Sequence, residues 1–149
     1  KMTGYNTKLY HDALTGIYNR RYYEDVVQGF EGPFGVAIMD LDDFKIYNDS
    51  CGHQAGDLAL EVTAAVIRDC IRQTDTLIRY GGDEFLLILP GCPIEKIRSK
   101  LEQIRARVQT TSVPGYPHIH LSPSSGVWYG WCRPRPASRS TTPPCWSMC

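Results

Sequence analysis

Three things are scarce in this chain of 149 residues, and each narrows its class before any motif is considered. Neither charge is in excess, since 16 lysines and arginines stand against 16 aspartates and glutamates. That balance speaks against a duplex nucleic-acid surface and against a polybasic membrane contact. No apolar run approaches the roughly 18 residues of a membrane span, and no signal peptide opens the chain, which together suggest a cytoplasmic domain. Metal-type cysteine spacing is lacking too: Cys51, Cys70 and Cys92 fall in loops or on helix faces and read as reduced thiols. Cys132, Cys145 and Cys149, even with His118 or His120, fit no common zinc pattern. The length suits a single domain with a proper core. A start at Lys1 instead of methionine suggests a fragment of something longer, with residues 1–11 a linker or helix remnant.

The most informative stretch present is Arg79-Tyr-Gly-Gly-Asp-Glu-Phe, continuing as LLILP to residue 90. Strand-type residues flank a tight turn, so Asp83 and Glu84 are expected at a hairpin tip, with Gly81 and Gly82 supplying positive backbone angles. Glycine also leaves room for a ligand against the backbone. A second acidic strand end precedes it, where the apolar run Phe34 to Met39 reads as a buried strand stopping at Asp40. Side chains alternate along a strand, so Asp40 and Asp42 share a side. If the two strands are neighbours, Asp40, Asp42, Asp83 and Glu84 converge. Like charges about 4 Å apart repel by about 4 kcal/mol at an effective dielectric near 20, so the cluster calls for a cation. Oxygen donors alone favour a hard ion such as magnesium.

The remaining elements follow from periodicity. A helix is expected from near Asn19 through RRYYEDVV, then the strand at 34–40. A long helix covers QAGDLALEVTAAVIRDCIRQ, with Leu58, Val62, Ala65, Val66 and Cys70 as its buried stripe. After the hairpin, PIEKIRSKLEQIRARVQ opens on Pro93 and places Ile94, Ile97, Leu101, Ile104 and Val108 on one face. In the following strand Pro123 removes a ladder donor and argues for an edge or a break.

Three motifs now stand in order: DALTGIYNRR at 12–21, D-x-D-x-F-K-x-x-N-D-x-x-G-H-x-x-G-D at 40–57, and RYGGDEF at 79–85. Together they resemble the GGDEF domains, bacterial diguanylate cyclases that join two GTP molecules into cyclic di-GMP, over roughly residues 10 to 110. The resemblance implies an α/β fold, an α+β sandwich of nucleotidyl-cyclase type in which helices flank a central, mostly antiparallel sheet. It implies a domain over 12–128 and an atypical tail over 129–149.

By the same resemblance, Asp40 and Asp83 are metal ligands for Mg2+ or Mn2+, completed by the Leu41 carbonyl, with Glu84 a further ligand or base. Asp83, Glu84 and Asp40 are then the catalytic set. Asn48 and Asp57 look like the guanine readers, and an amide and a carboxylate suit that edge. Backbone amides around Phe44 and Lys45 would receive the β- and γ-phosphates, near Gly81 and Gly82. Phe44 itself reads as a loop anchor, and His53 as a residue that orders the loop ahead of the long helix. Arg72 and Asp75 match the place where many family members bind their own product as an inhibitor. Expected partners are GTP, cyclic di-GMP and a second copy of the chain, since each copy holds one GTP.

The last quarter departs from that pattern. After Glu102 there is no acidic residue, and from Pro123 onward come five prolines, three tryptophans and three cysteines. The family has there a helix whose lysine and a following arginine contact the triphosphate. Prolines 134, 136, 143 and 144 break any helix register, and the segment reads like a shifted frame from about Ser125. One sheet face is then expected to lack cover. Two functions of different class follow: a diguanylate cyclase, or a catalytically impaired module that binds GTP or cyclic di-GMP and acts through protein contacts. A defective, poorly folding product is a third.

Overall fold

The computed structural model describes residues 8–27 and 32–132, the last five by their backbone only. The expectations for residues 1–7 and for the tail from 133 onward, with its prolines, Trp146, Cys145 and Cys149, lie outside the described residues. So do those for the side chains of Trp128, Trp131 and Cys132.

The sheet is built around one long strand. β2 (Gly32–Leu41) pairs antiparallel with β4 (Glu84–Pro90) on one side and with β5 (Pro123–Cys132) on the other. β3 (Thr76–Arg79) adds antiparallel to β4, and a two-residue β1 (Tyr18–Asn19) adds parallel to β3, giving the order β1-β3-β4-β2-β5. The expected mostly antiparallel sheet is therefore present, with one short parallel pair that local periodicity could not show. β2 runs past Asp40 to Leu41, because β5 pairs with it along its whole length. Pro123 opens β5, an edge strand, where its missing N–H does least harm.

Alternation sorts the two faces. Ala37, Met39, Leu41, Leu77, Phe85, Leu87 and Leu89 face helices α3 (His53–Cys70) and α4 (Ile94–Gln109) and form the main core. Phe34, Val36, Ile78, Leu86 and Ile88 face the other way, against Tyr23 of α1 (Arg20–Asp25) and Val27. α1 starts where the Asn19 side chain accepts from the Tyr22 amide at 3.0 Å, an N-cap worth about 1 kcal/mol. Being short, it covers only part of its face, and Ile38, next along β2, remains 44% exposed.

α4 buries Ile97, Leu101, Ile104 and Val108, as its periodicity predicts. α3 follows its predicted stripe only at Val66 and Cys70. Its buried positions are Ala55, Gly56, Ala59, Leu60, Thr63, Ala64, Val66, Ile67 and Cys70, while Ala65 is exposed and Leu58 and Val62 only flank the core. Small residues at 55, 56, 59 and 64 let the helix lie close to the sheet, so the seam follows close approach instead of side-chain size.

A separate helix, α2 (Phe44–Cys51), precedes α3, and the two meet at Gly52, whose φ of 93° breaks the run. The positive angles expected at Gly81 and Gly82 are not found; among the described residues the glycines with positive φ are Gly16, Gly32, Gly52, Gly91 and Gly115. Gly81 serves a different need. A Cβ there would stand 2.5 Å from Glu84 Oε1, so the glutamate end folds close over this backbone and would have to shift for any larger residue.

Candidate active site

The loop between β3 and β4 is held by one arginine. Tyr80 and Gly81 amides both donate to the Glu84 carbonyl, at 2.9 and 3.3 Å, closing the turn. Arg79 then donates to the Gly82 carbonyl through Nη2 at 2.9 Å and Nε at 3.2 Å. Its Nη1 reaches both oxygens of Asp12 at 3.2 Å, across 67 residues of chain. Asp12 also accepts from the Thr15 amide at 2.9 Å and the Thr15 hydroxyl at 2.7 Å. Partial burial pushes the Asp12 carboxyl up, but the Thr15 hydrogen bonds and the Arg79 guanidinium outweigh it and hold the group below its ordinary value. The Asp12–Thr15 motif is thus a brace for the glycine turn. Sequence reading missed that role for Asp12, Thr15 and Arg79; the signal available was that the two motifs occur together.

At the turn's far side the acids gather as the strand order requires. Asp40 lies directly opposite Glu84 in the β2–β4 register, and Asp83 is the residue before Glu84. Asp40 and Glu84 are exposed and Asp83 half-buried. Asp42, two residues on, accepts from the Ser124 hydroxyl at 2.6 Å and the Ser122 hydroxyl at 3.2 Å and is held by β5, whose Ser124 is the register partner of Asp40. Among the described residues none of Asp40, Asp83 and Glu84 has a lysine or arginine in salt-bridge range. Nor do three of the chain's histidine, cysteine or acidic side chains already form a closed metal cluster among those residues. An all-oxygen set of unpaired carboxylates fits Mg2+ or Mn2+ in its donor chemistry.

Tyr47 stands beside this edge. Its hydroxyl is buried without a hydrogen-bond partner. Burial, reinforced by the charges of Asp83, Asp43 and Asp42, pushes its pKa up to about 12.

α2 and α3 supply the rest of the site. Asp43, the N-cap of α2, adopts φ 58° and gives no side-chain cap, so the first helical amides, at Phe44 and Lys45, are left without an intrahelical acceptor. Left-handed backbone at a non-glycine residue is strain, and here it sits at a helix start facing the acidic edge. One turn on, Asn48 contacts His53 Nδ1 through its amide nitrogen at 3.2 Å. A Cβ on Gly56 would overlap the Asn48 amide oxygen and would stand 3.2 Å from the Phe44 ring. That ring packs edge-on against Tyr47, centroids 5.5 Å apart. Phe44 is an anchor, as predicted from its type. Asp57 follows Gly56 and is exposed.

Arg72 and Asp75 lie at the end of α3. The Asp75 side chain is 0% exposed and accepts from the Arg72 amide at 2.8 Å and from Arg72 Nη2 at 2.8 Å. Arg72 also donates to the Pro90 carbonyl at 3.1 Å. Beside the pair is a cavity of about 310 Å³ whose lining includes His11, Tyr18, Arg68, Arg72 and Asp75.

A helix start with open amides, facing unpaired carboxylates at the end of a mostly antiparallel sheet, defines a nucleotidyl-cyclase-like α/β domain. The family model for the diguanylate cyclase GGDEF domain matches residues 9–131, and the chain belongs to that family. It is 34% identical over 120 residues to the diguanylate cyclase DgcM of Escherichia coli, a match covering 76% of this chain and 29% of that protein. It is 38% identical over 100 residues to the cyclic di-GMP phosphodiesterase PdeB of Shewanella oneidensis, covering 65% of this chain and 12% of that one. The solved coiled coil and GGDEF domain of DgcB from Caulobacter crescentus, in complex with c-di-GMP, superposes with a TM-score of 0.77 at 27% identity. That match covers 85% of this chain and 72% of the other. The chain thus spans less than a third of the length of DgcM. No helix among the described residues is long and apolar enough to cross a membrane.

Proposed function

We propose that this chain is a diguanylate cyclase domain that condenses two GTP molecules into cyclic di-GMP and two pyrophosphates, with two copies each presenting one GTP to the other. The observation that carries the reading is the register: Asp40 opposite Glu84, with Asp83 adjacent and no counter-cation. Asp40, Asp83 and the Leu41 carbonyl, with Glu84, would hold Mg2+ or Mn2+. That ion, when bound, lowers the pKa of the attacking 3′-hydroxyl and offsets charge at the α-phosphate.

The chain's own residues do the rest. The open amides at Phe44 and Lys45 take the terminal phosphates, with the Lys45 ammonium as an added charge. Asn48 and Asp57 hold the guanine edge. Gly81 and Gly82 would let the α-phosphate approach the turn, and Glu84, if not a further metal ligand, would accept the hydroxyl proton. The family helix that would add one or two triphosphate contacts has no counterpart in the sequence, so GTP should bind about tenfold or more weakly per lost contact.

Product feedback belongs to the same reading. Arg68 and Arg72 give the cavity beside the Arg72–Asp75 pair two guanidinium groups suited to phosphates and to guanine O6 and N7. Asp75 is buried against Arg72, so its acceptor role requires that pair to open, while Arg72 can act as it stands. Equal inhibition by cyclic di-GMP of Arg72→Ala and the parent would remove this part.

A second reading, a binding module for GTP or cyclic di-GMP, is favoured by the absence of a closed three-ligand cluster among the described residues. Incubation with GTP and magnesium, with products separated by chromatography and identified by mass spectrometry, decides between them. Cyclic di-GMP from the parent and none from Asp83→Ala establishes the cyclase. No product from folded, concentrated protein that still binds GTP establishes the module.

A further inference from the structure

Asn48 is the most constrained polar side chain at the site, and its constraints come from two residues the nucleotide reading leaves without a task. On one side its amide nitrogen contacts His53 Nδ1 at 3.2 Å. An amide nitrogen is only a donor, so in this contact Nδ1 is the acceptor. On the other side the amide oxygen occupies the space over Gly56 that any Cβ would fill. The Phe44 ring borders the same notch, and Phe44 and Asn48 are successive turns of one face of α2. Gly56 lies inside α3, is itself buried, and has no positive φ. Nothing in the backbone there needs glycine, and an alanine would favour the helix by about 1 kcal/mol. The glycine is explained by what rests on it.

Resting on the proposal that Asn48 reads guanine, we propose that His53 and Gly56 are positioning residues for base selection: they clamp the Asn48 amide in one of its two flip states. An amide turned by 180° exchanges donor for acceptor and presents the wrong pattern to the purine edge. With its nitrogen tied to His53 and its oxygen seated over Gly56, Asn48 holds one free N–H and a fixed oxygen. Guanine offers ring N3 as an acceptor and its exocyclic amine as a donor. Inosine lacks that amine, so the ratio of GTP to ITP binding reports the amide's orientation, while the triphosphate contacts cancel.

The test is direct binding of GTP and of ITP, by calorimetry on the full chain, to the parent and to Gly56→Ala, His53→Ala, His53→Gln and Asn48→Ala. Gly56→Ala should weaken GTP at least tenfold and pull the GTP/ITP ratio toward one, with a melting temperature no lower than the parent's. His53→Ala should lose several-fold in both GTP affinity and the ratio, and His53→Gln, whose amide oxygen can accept from Asn48, should recover part of both. If Gly56→Ala does not fold, the two His53 variants carry the test alone. Parent-like ratios in the Gly56 and His53 variants beside a lost ratio in Asn48→Ala would overturn the clamp and leave the guanine reading standing. A parent-like ratio in Asn48→Ala would overturn both.

Discussion

The carboxylates of this domain fall into two kinds, and the contrast separates scaffold from site. Asp12 and Asp75 are paired with arginines, Asp12 with Arg79 and Asp75 with Arg72, and each also accepts from a backbone amide. Asp40, Asp83 and Glu84 have no basic partner among the described residues. The first kind closes turns: one braces the glycine loop, the other joins α3 to β3. The second kind is held in place by strand register and by the first. A protein gains nothing in stability from opposed, unpaired acids, so their persistence at one strand end is the mark of a ligand site. Arg79 links the two kinds, since it binds Asp12 with one nitrogen and the Gly82 carbonyl with two others.

The largest expected effect tests the unpaired kind. Asp83→Ala should lower cyclic di-GMP formation about a thousandfold or more, the scale of several kcal/mol of lost charge stabilisation, while the melting temperature holds or rises. A drop in melting temperature without loss of activity would reverse the assignment. Next in size, Asp12→Ala should cost about 2 to 3 kcal/mol in urea denaturation, because it strands a guanidinium that is only 19% exposed and removes the acceptor of both Thr15 hydrogen bonds. Its remaining activity should follow the folded fraction. Parent-like stability in that variant would erase the distinction between the two kinds.

Much of this arrangement is legible in the sequence because motif residues sit at strand ends and helix starts, which local periodicity locates. β4, α4 and the N-cap at Asn19 follow from pattern alone. What escapes is whatever depends on a distant partner. The hold on Asp42 comes from β5, some 80 residues on, which offers Ser122 and Ser124. The α3 seam shifts because alanine and glycine allow close approach, which a count of large apolar residues overlooks. Gly81 lies under the Glu84 side chain and Gly56 under a side chain on another helix, contacts that turn chemistry does not predict. The β1–β3 pair is two residues long and parallel, too short to leave a period.

Acid titration sharpens the contrast on the paired side. The Asp12 pKa in the folded chain lies below its ordinary 3.8, so the unfolded chain binds more protons between the two values. The resulting stability is present above the unfolded value and is lost as pH falls through the folded one. Asp12→Asn should therefore flatten the acid limb of a stability curve below about pH 4, and an unchanged limb would mean that Arg79 and Thr15 do not hold the charge.

The smallest expected effect asks whether the open end is open in the whole chain. Ile38 lies two residues before Asp40 on the same face of β2, is 44% exposed, and is the apolar neighbour of the unpaired acids. Ile88, on that face but under α1, is 0% exposed. Ile88→Ala should cost about 3 to 4 kcal/mol, whereas Ile38→Ala should cost about 1 kcal/mol, since much of its side chain already meets water. Urea denaturation of the 149-residue chain measures both. If the two losses were equal, Ile38 would be covered in the full chain. The carboxylates would then stand beside a closed apolar wall, and GTP would have to reach them from the α2 side alone.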